Sequence, residues 1–189
     1  MIRKVSVSLI LLSLVGIVLT GSNAVFTSTS SNGANTFSTG TVVISTAPAS
    51  AFITFSAMAP GDVVTAPLTV TNGGTMQLRY AVTSASTENT LAAQLDLTIK
   101  DGVTTCSNAG FGASGTVRYG PGDLGSTTGV NVIGDAAQGV QAGDRTLDVA
   151  ASEILCFQVS LPLSAGNASQ GVTTTATFAF NAEQTANNP

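Results

Sequence analysis

Apolar residues recur at every second position in several separate stretches of this chain. Leu78, Tyr80 and Val82 share one side of residues 77–84. Leu95, Leu97 and Ile99 do the same in the next stretch, and Leu155, Phe157, Val159 and Leu161 in a later one. Side chains alternate across a strand, so a period of two predicts strands with one buried face. Cys156 then falls on the face opposite Phe157, and Pro162 ends that strand. Residues 172–182 turn Val172, Thr174, Ala176, Phe178 and Phe180 inward. Nearer the start, strands are expected over 36–46 (Val42, Val43, Ile44), over 51–56 (AFITFS), and over 63–71 with Leu68 and Val70 on one face.

Turn chemistry separates these stretches. Ala59-Pro60-Gly61-Asp62 offers a fixed φ at its second position and tolerance of positive φ at its third. Asn72-Gly73-Gly74 contains Asn-Gly, a strong hairpin signal. The two turns imply a meander from 51 to 84. Thr87 is expected to cap a short helix over 88–93. Residues 102–144 are rich in glycine and poor in apolar clusters. They read as a long irregular insertion between core strands, with small hairpins near 116–119 and 130–133. Six to nine strands, each with one apolar face, need two packed sheets. The expected fold class is therefore an all-β sandwich with a short helix and a long insertion, occupying residues 37–189.

Residues 1–24 do not belong to that pattern. Arg3 and Lys4 precede an apolar run over 5–19, and Ser22-Asn23-Ala24 places small residues where a signal peptidase reads. Cleavage between Ala24 and Val25 is expected, giving a secreted chain that leaves the membrane after cleavage. The run is short for a membrane span, which needs about 18 apolar residues. Residues 25–36 form a polar, Thr/Ser-rich extended segment with an apolar start at Val25 and Phe26.

Charge narrows the partners. Only 8% of residues are charged, and removing Arg3 and Lys4 from the six basic residues leaves four against ten acidic ones, a net −6. Nucleic acid binding depends on basic groups that neutralise phosphate, so no nucleic-acid partner is expected. The chain contains no His, which removes Ser-His-Asp triads, Cys-His pairs and His-Glu-x-x-His zinc sites. A carboxylate pair or a calcium site would have to come from Asp123, Asp135, Asp144, Asp148 and Glu153. These lie in loop-like sequence, where solvated turn residues are the simpler account. No catalytic residue, metal or cofactor is expected. Gly120-Pro121-Gly122-Asp123 reads as a turn and not a phosphate loop, since no helix start or Lys follows. Asn167-Ala168-Ser169 is a glycosylation sequon by sequence alone. In an exported protein, the lone pair Cys106 and Cys156 is expected to form a disulfide; the competing readings are two free buried thiols, or half of a metal site that would need His or more Cys to complete four ligands.

The order of four motifs resembles the TasA/camelysin-type family. They are Thr36-Phe37-Ser38-Thr39-Gly40-Thr41-Val42-Val43-Ile44, the turn Met58-Ala59-Pro60-Gly61-Asp62, the stretch LTVTNGGTMQLRYAV over 68–82, and the closing Thr177-Phe178-Ala179-Phe180-Asn181-Ala182-Glu183-Gln184. The middle of the chain, roughly 100–150, matches none of them. The resemblance implies a jelly-roll sandwich, a leader removed by a dedicated signal peptidase, and self-assembly into biofilm-matrix fibres by donor-strand exchange. The donor would be the freed segment carrying Val25, Phe26, Thr27, Ser28 and Thr29. Some members carry a metallopeptidase label, which a chain without His argues against extending here. The chain ends at Asn187-Asn188-Pro189 with no hydrophobic tail or wall-sorting motif, so retention in a matrix or at a cell surface is expected to rest on self-association. A monomeric adhesion module is the alternative, weakened by a scarcity of aromatic residues for a sugar platform.

Overall fold

The computed structural model describes residues 36–54 and 57–188. The signal segment, the cleavage site at Ala24 and Val25, and the donor segment through Thr29 all lie outside the described residues. From Thr39 onward the chain forms one compact unit. Its described residues carry nine strands in two antiparallel sheets.

The first sheet runs in the order β1 (Ile44–Ala47), β2 (Val63–Asn72), β8 (Ser152–Ser160), β4 (Asp96–Asp101) and β5 (Thr116–Asp123). The second is built on β3 (Leu78–Ser86). Along one side β3 pairs throughout with β9 (Ala176–Gln184). Along the other it pairs with β6 (Val130–Ile133) and then β7 (Arg145–Leu147). The alternating residues meet between the sheets. Leu68, Val70, Leu78, Tyr80, Val82, Leu97, Ile99, Leu155, Phe157 and Val159 are all buried there. Two sheets with one apolar face each can exclude water only by this packing, which makes the chain an all-β sandwich.

Several local expectations hold. At the first turn the Asp62 amide donates to the Ala59 carbonyl at 2.9 Å, and Gly61 takes φ +98°, a conformation that favours glycine. Asp62 also accepts a 2.7 Å bond from the Ala59 amide. Cys156 points away from the core, as its position beside Phe157 requires.

Other expectations are corrected. Asn72-Gly73-Gly74 does not make a hairpin, because β2 and β3 belong to different sheets. It is a corner between the sheets, pinned by the fully buried Asn72. The Asn72 amide nitrogen donates to the carbonyls of Met76, Leu147 and Asp148, and its oxygen accepts from the Gly74 amide. A side chain on Gly74 would lie 2.4 Å from the Thr41 carbonyl, so glycine is what lets residues 41–43 pass the corner. The strand over 36–46 shortens to Ile44–Ala47. Residues 51–54 form no strand, although Phe52 and Ile53 still pack on the core.

The helix over 88–93 is replaced by a 3-10 turn at Ala92–Gln94, and Thr87 does not cap it. Thr87 instead accepts from the Thr175 amide. Glu88 takes the capping role, accepting from the amides of Thr90, Leu91 and Ala92. Those bonds outweigh the effect of burial and hold its carboxyl below the usual value. Residues 102–144 are not an insertion outside the core. They contain β5 and β6, the outermost strands at one side of the sandwich, and Val132 and Ile133 are buried. The Gly120–Asp123 run is not a free turn but the irregular end of β5, where its register against β4 shifts.

Candidate functional site: an open sheet edge

A sheet edge presents unpaired N–H and C=O groups, and soluble proteins blunt such edges by shortness, charge, proline or bulges. Most edges here are blunted. β1 is four residues long and is followed by Pro48. β5 carries Arg118, Pro121 and Asp123, and its register shifts twice. β6 and β7 have four and three residues.

The edge at β9 is different. Its nine residues, ATFAFNAEQ, pair in unbroken register with β3, from Ser86 opposite Ala176 to Leu78 opposite Gln184. Proline, glycine and Lys are absent from it. Its one charged residue, Glu183, is turned to the outer face and bound by Arg79 at 2.5 Å. The core-facing residues Ala176, Phe178, Phe180 and Ala182 are only half-buried, although each packs on the core. Among the described residues β2, in the other sheet, has no strand partner on its outer side over 63–68, because its pairing with β1 begins at Thr69. The two sheets touch through β5 and β6 at the opposite side. Among the described residues the seam between β9 and β2 is therefore the side of the sandwich that no strand closes, and aromatic rings pack in it. Phe52 lies 5.0 Å from Phe157 and 5.8 Å from Phe178, and Phe157 lies 5.0 Å from Phe178.

The charged residues serve other ends. At one end of the core Arg145 bonds Glu153, reaches Asp101 at 2.7 Å, and lies beside Arg118, which meets the same Asp101 oxygen at 2.7 Å. Tyr80 donates to Glu153 at 2.9 Å. Burial, reinforced by the Glu153 charge, pushes the Tyr80 hydroxyl far up. Burial alone would also raise Asp101, but its bonds to Arg118 and Arg145 prevail and hold its carboxyl below the usual range. This cluster ties β3, β4, β5, β7 and β8 together.

On the outer face of the second sheet, Arg79 is buried by residues 134–144, which fold over it. Glu183 there accepts from the Arg79 guanidinium and from the Gly139 amide, which lowers its carboxyl. On the outer face of the first sheet, Cys106 and Cys156 are joined in a disulfide with Cα atoms 5.6 Å apart. Lys100 holds the same loop by a 2.8 Å bond to the Phe111 carbonyl.

The sequence candidates for metal or acid–base chemistry do not converge. Asp135 and Asp144 share one loop, where Asp144 accepts from the Asp135 and Gln141 amides and Asp135 from Ala137. Asp123 accepts from the Gly125 amide, Asp148 from the Gln77 side chain, and Glu153 sits in the arginine cluster. Among the described residues no three His, Cys, Asp or Glu side chains are grouped as metal ligands. Sequence reading missed Arg79–Glu183 and Tyr80–Glu153–Arg145. The available signal was an arginine inside the apolar run LRYAV, in a chain that has very few.

A family model described as camelysin metallo-endopeptidase matches residues 1–106, more than half of the 189. No curated protein matches the chain. The matched part includes β1 to β4 and so contributes to both sheets, and it ends at the cysteine that binds β8. Among the described residues, a donor set without His, whose candidate carboxylates are bound to amides and arginines, does not fit a peptidase metal centre of the kind the family's description implies. The chain belongs to the camelysin family.

Proposed function

We propose that the protein is an exported structural subunit, cleaved after Ala24, that polymerises head to tail into an extracellular fibre. One observation carries this reading: β9 is a long, regular sheet edge whose single charge, Glu183, is ion-paired on the outer face, and it lies beside an apolar seam. An extended segment added to such an edge gains main-chain hydrogen bonds, and its alternate side chains set register against the pockets. The segment freed by cleavage has the composition for it. Val25 and Phe26 supply apolar anchors, and Thr27, Ser28 and Thr29 tolerate extended backbone. Donor and acceptor occupy different parts of one subunit, so the contact is heterologous and propagates into filaments instead of closing. Cleavage by a signal peptidase would release the donor and thereby license assembly. Peptidase activity forms no part of this function.

The test compares the chain beginning at Val25 with one beginning at Ser31, by electron microscopy of purified protein. The first is expected to give filaments, and the second a folded monomer without them. Normal filaments from the shorter chain would exclude residues 25–30 as the donor.

A further inference from the structure

The segment between β1 and β2 is at odds with its own sequence. AFIT over 51–54 is rich in strand-forming residues, yet among the described residues it joins no strand ladder. Among the described residues, 48–54 give and accept no backbone hydrogen bond. Among the described residues the segment is held through half-buried side chains, Phe52 and Ile53, both packed on the core. The Phe52 ring rests between Phe157 of β8 and Phe178 of β9, within the same seam that an added strand must enter.

We infer that Phe52 and Ile53 form an intrachain plug that covers the β9 seam in the free subunit and is displaced when a second copy's strand adds to β9. The inference rests on the strand-addition reading above and concerns its regulation. Two features support a removable plug. First, among the described residues no ladder has to break to lift it, because side-chain packing is what holds it. Second, it covers the Phe157 and Phe178 rings and, among the described residues, leaves the main-chain edge of β9 free. An incoming strand can therefore pair first with the backbone and then replace Phe52 with its own apolar residue. The plug keeps apolar surface out of water in the monomer, which slows assembly between chance encounters.

The experiment measures filament growth of the exported form, beginning at Val25, by light scattering at matched concentrations. Phe52→Ser is compared with wild type. Losing a half-buried aromatic contact that competes with the donor is expected to speed growth about tenfold. Phe52→Leu, which keeps apolar bulk and so guards against loss of the fold, is expected to lie between the two. Circular dichroism establishes that each variant is folded. Growth of both variants at the wild-type rate would overturn the plug. Slower growth would overturn it too, by making Phe52 a wall of the binding seam. The absence of filaments from wild type itself would instead remove the strand-addition reading, and the plug with it.

Discussion

The two lateral sides of this sandwich are built on opposite principles. At one side β5 and β6 close the molecule. β5 bends through Gly-Pro-Gly, shifts register, and carries Arg118 bound to Asp101, while β6 stops after four residues. At the other side β9 runs for nine residues with an unbroken ladder on one edge and, among the described residues, no proline, bulge or lysine to guard the other. One chain thus blunts the edges at β1, β5 and β6 and leaves this one intact. The difference teaches that the exposure of β9 is not a general property of a poorly charged protein, because the same chain spends two of its few arginines at the end of the core near β5. A side kept regular, apolar and unguarded is what strand addition requires.

The strongest way to break this comparison is to give β9 the protection the other edges have. Thr177→Lys with Ala179→Lys places two charges on exposed positions of β9 without touching its core-facing row. Filament yield by sedimentation is expected to fall at least about tenfold, with an unchanged circular dichroism spectrum. Val117→Lys on β5, also exposed, is expected to leave filament yield as it is.

A smaller effect, on stability and not assembly, is expected from the disulfide. Cys106→Ser with Cys156→Ser removes a crosslink that closes a loop of 50 residues on the outer face of the first sheet. Denaturant unfolding should show a loss of about 3–4 kcal/mol in the chain-entropy account. Filaments should still form below the new unfolding midpoint, because the crosslink touches neither β9 nor the seam.

The smallest effect is electrostatic and belongs to the closed side. Asp101 is held below the ordinary carboxylate value by Arg118 and Arg145, with burial opposing. A depressed folded pKa stabilises the protein fully above the unfolded value near pH 4, and that stabilisation is lost as pH falls through the folded value. Wild type should therefore lose more thermal stability between pH 5 and 3 than Asp101→Asn does. The difference is expected to be about 1 kcal/mol, since the cluster is partly open to water. A variant with the same acid dependence as wild type would show that the arginines do not act through Asp101.

The sequence carried the faces of the central strands clearly. Leu155, Phe157 and Val159, like Leu78, Tyr80 and Val82, are buried as their alternation demands. Periodicity reports which side of a strand is covered, not which strand lies next to it. That is why Asn72-Gly73-Gly74 looked like a hairpin and is a corner between sheets. It is also why the inward row Ala176, Phe178 and Phe180 was legible while the position of β9 at an edge was not. The stretches near 116–119 and 130–133 were legible and form β5 and β6, but periodicity did not show that these belong to different sheets and close one side of the sandwich. AFIT read as a strand and is not one. Its propensity is that of a strand, but its two adjacent apolar residues, Phe52 and Ile53, both pack on the core, and among the described residues it joins no ladder. Arg79 defied the rule that outward positions are solvated, because residues 134–144 fold over it and supply Glu183 with a second donor.

The most direct test of the open side is amide hydrogen exchange read by mass spectrometry. Filaments of the chain beginning at Val25 are compared with the monomer beginning at Ser31. The account predicts that the peptide covering 176–184 gains protection in filaments, while that covering 116–123 exchanges at the same rate in both. Unchanged exchange across 176–184, or new protection at 116–123 instead, would contradict it.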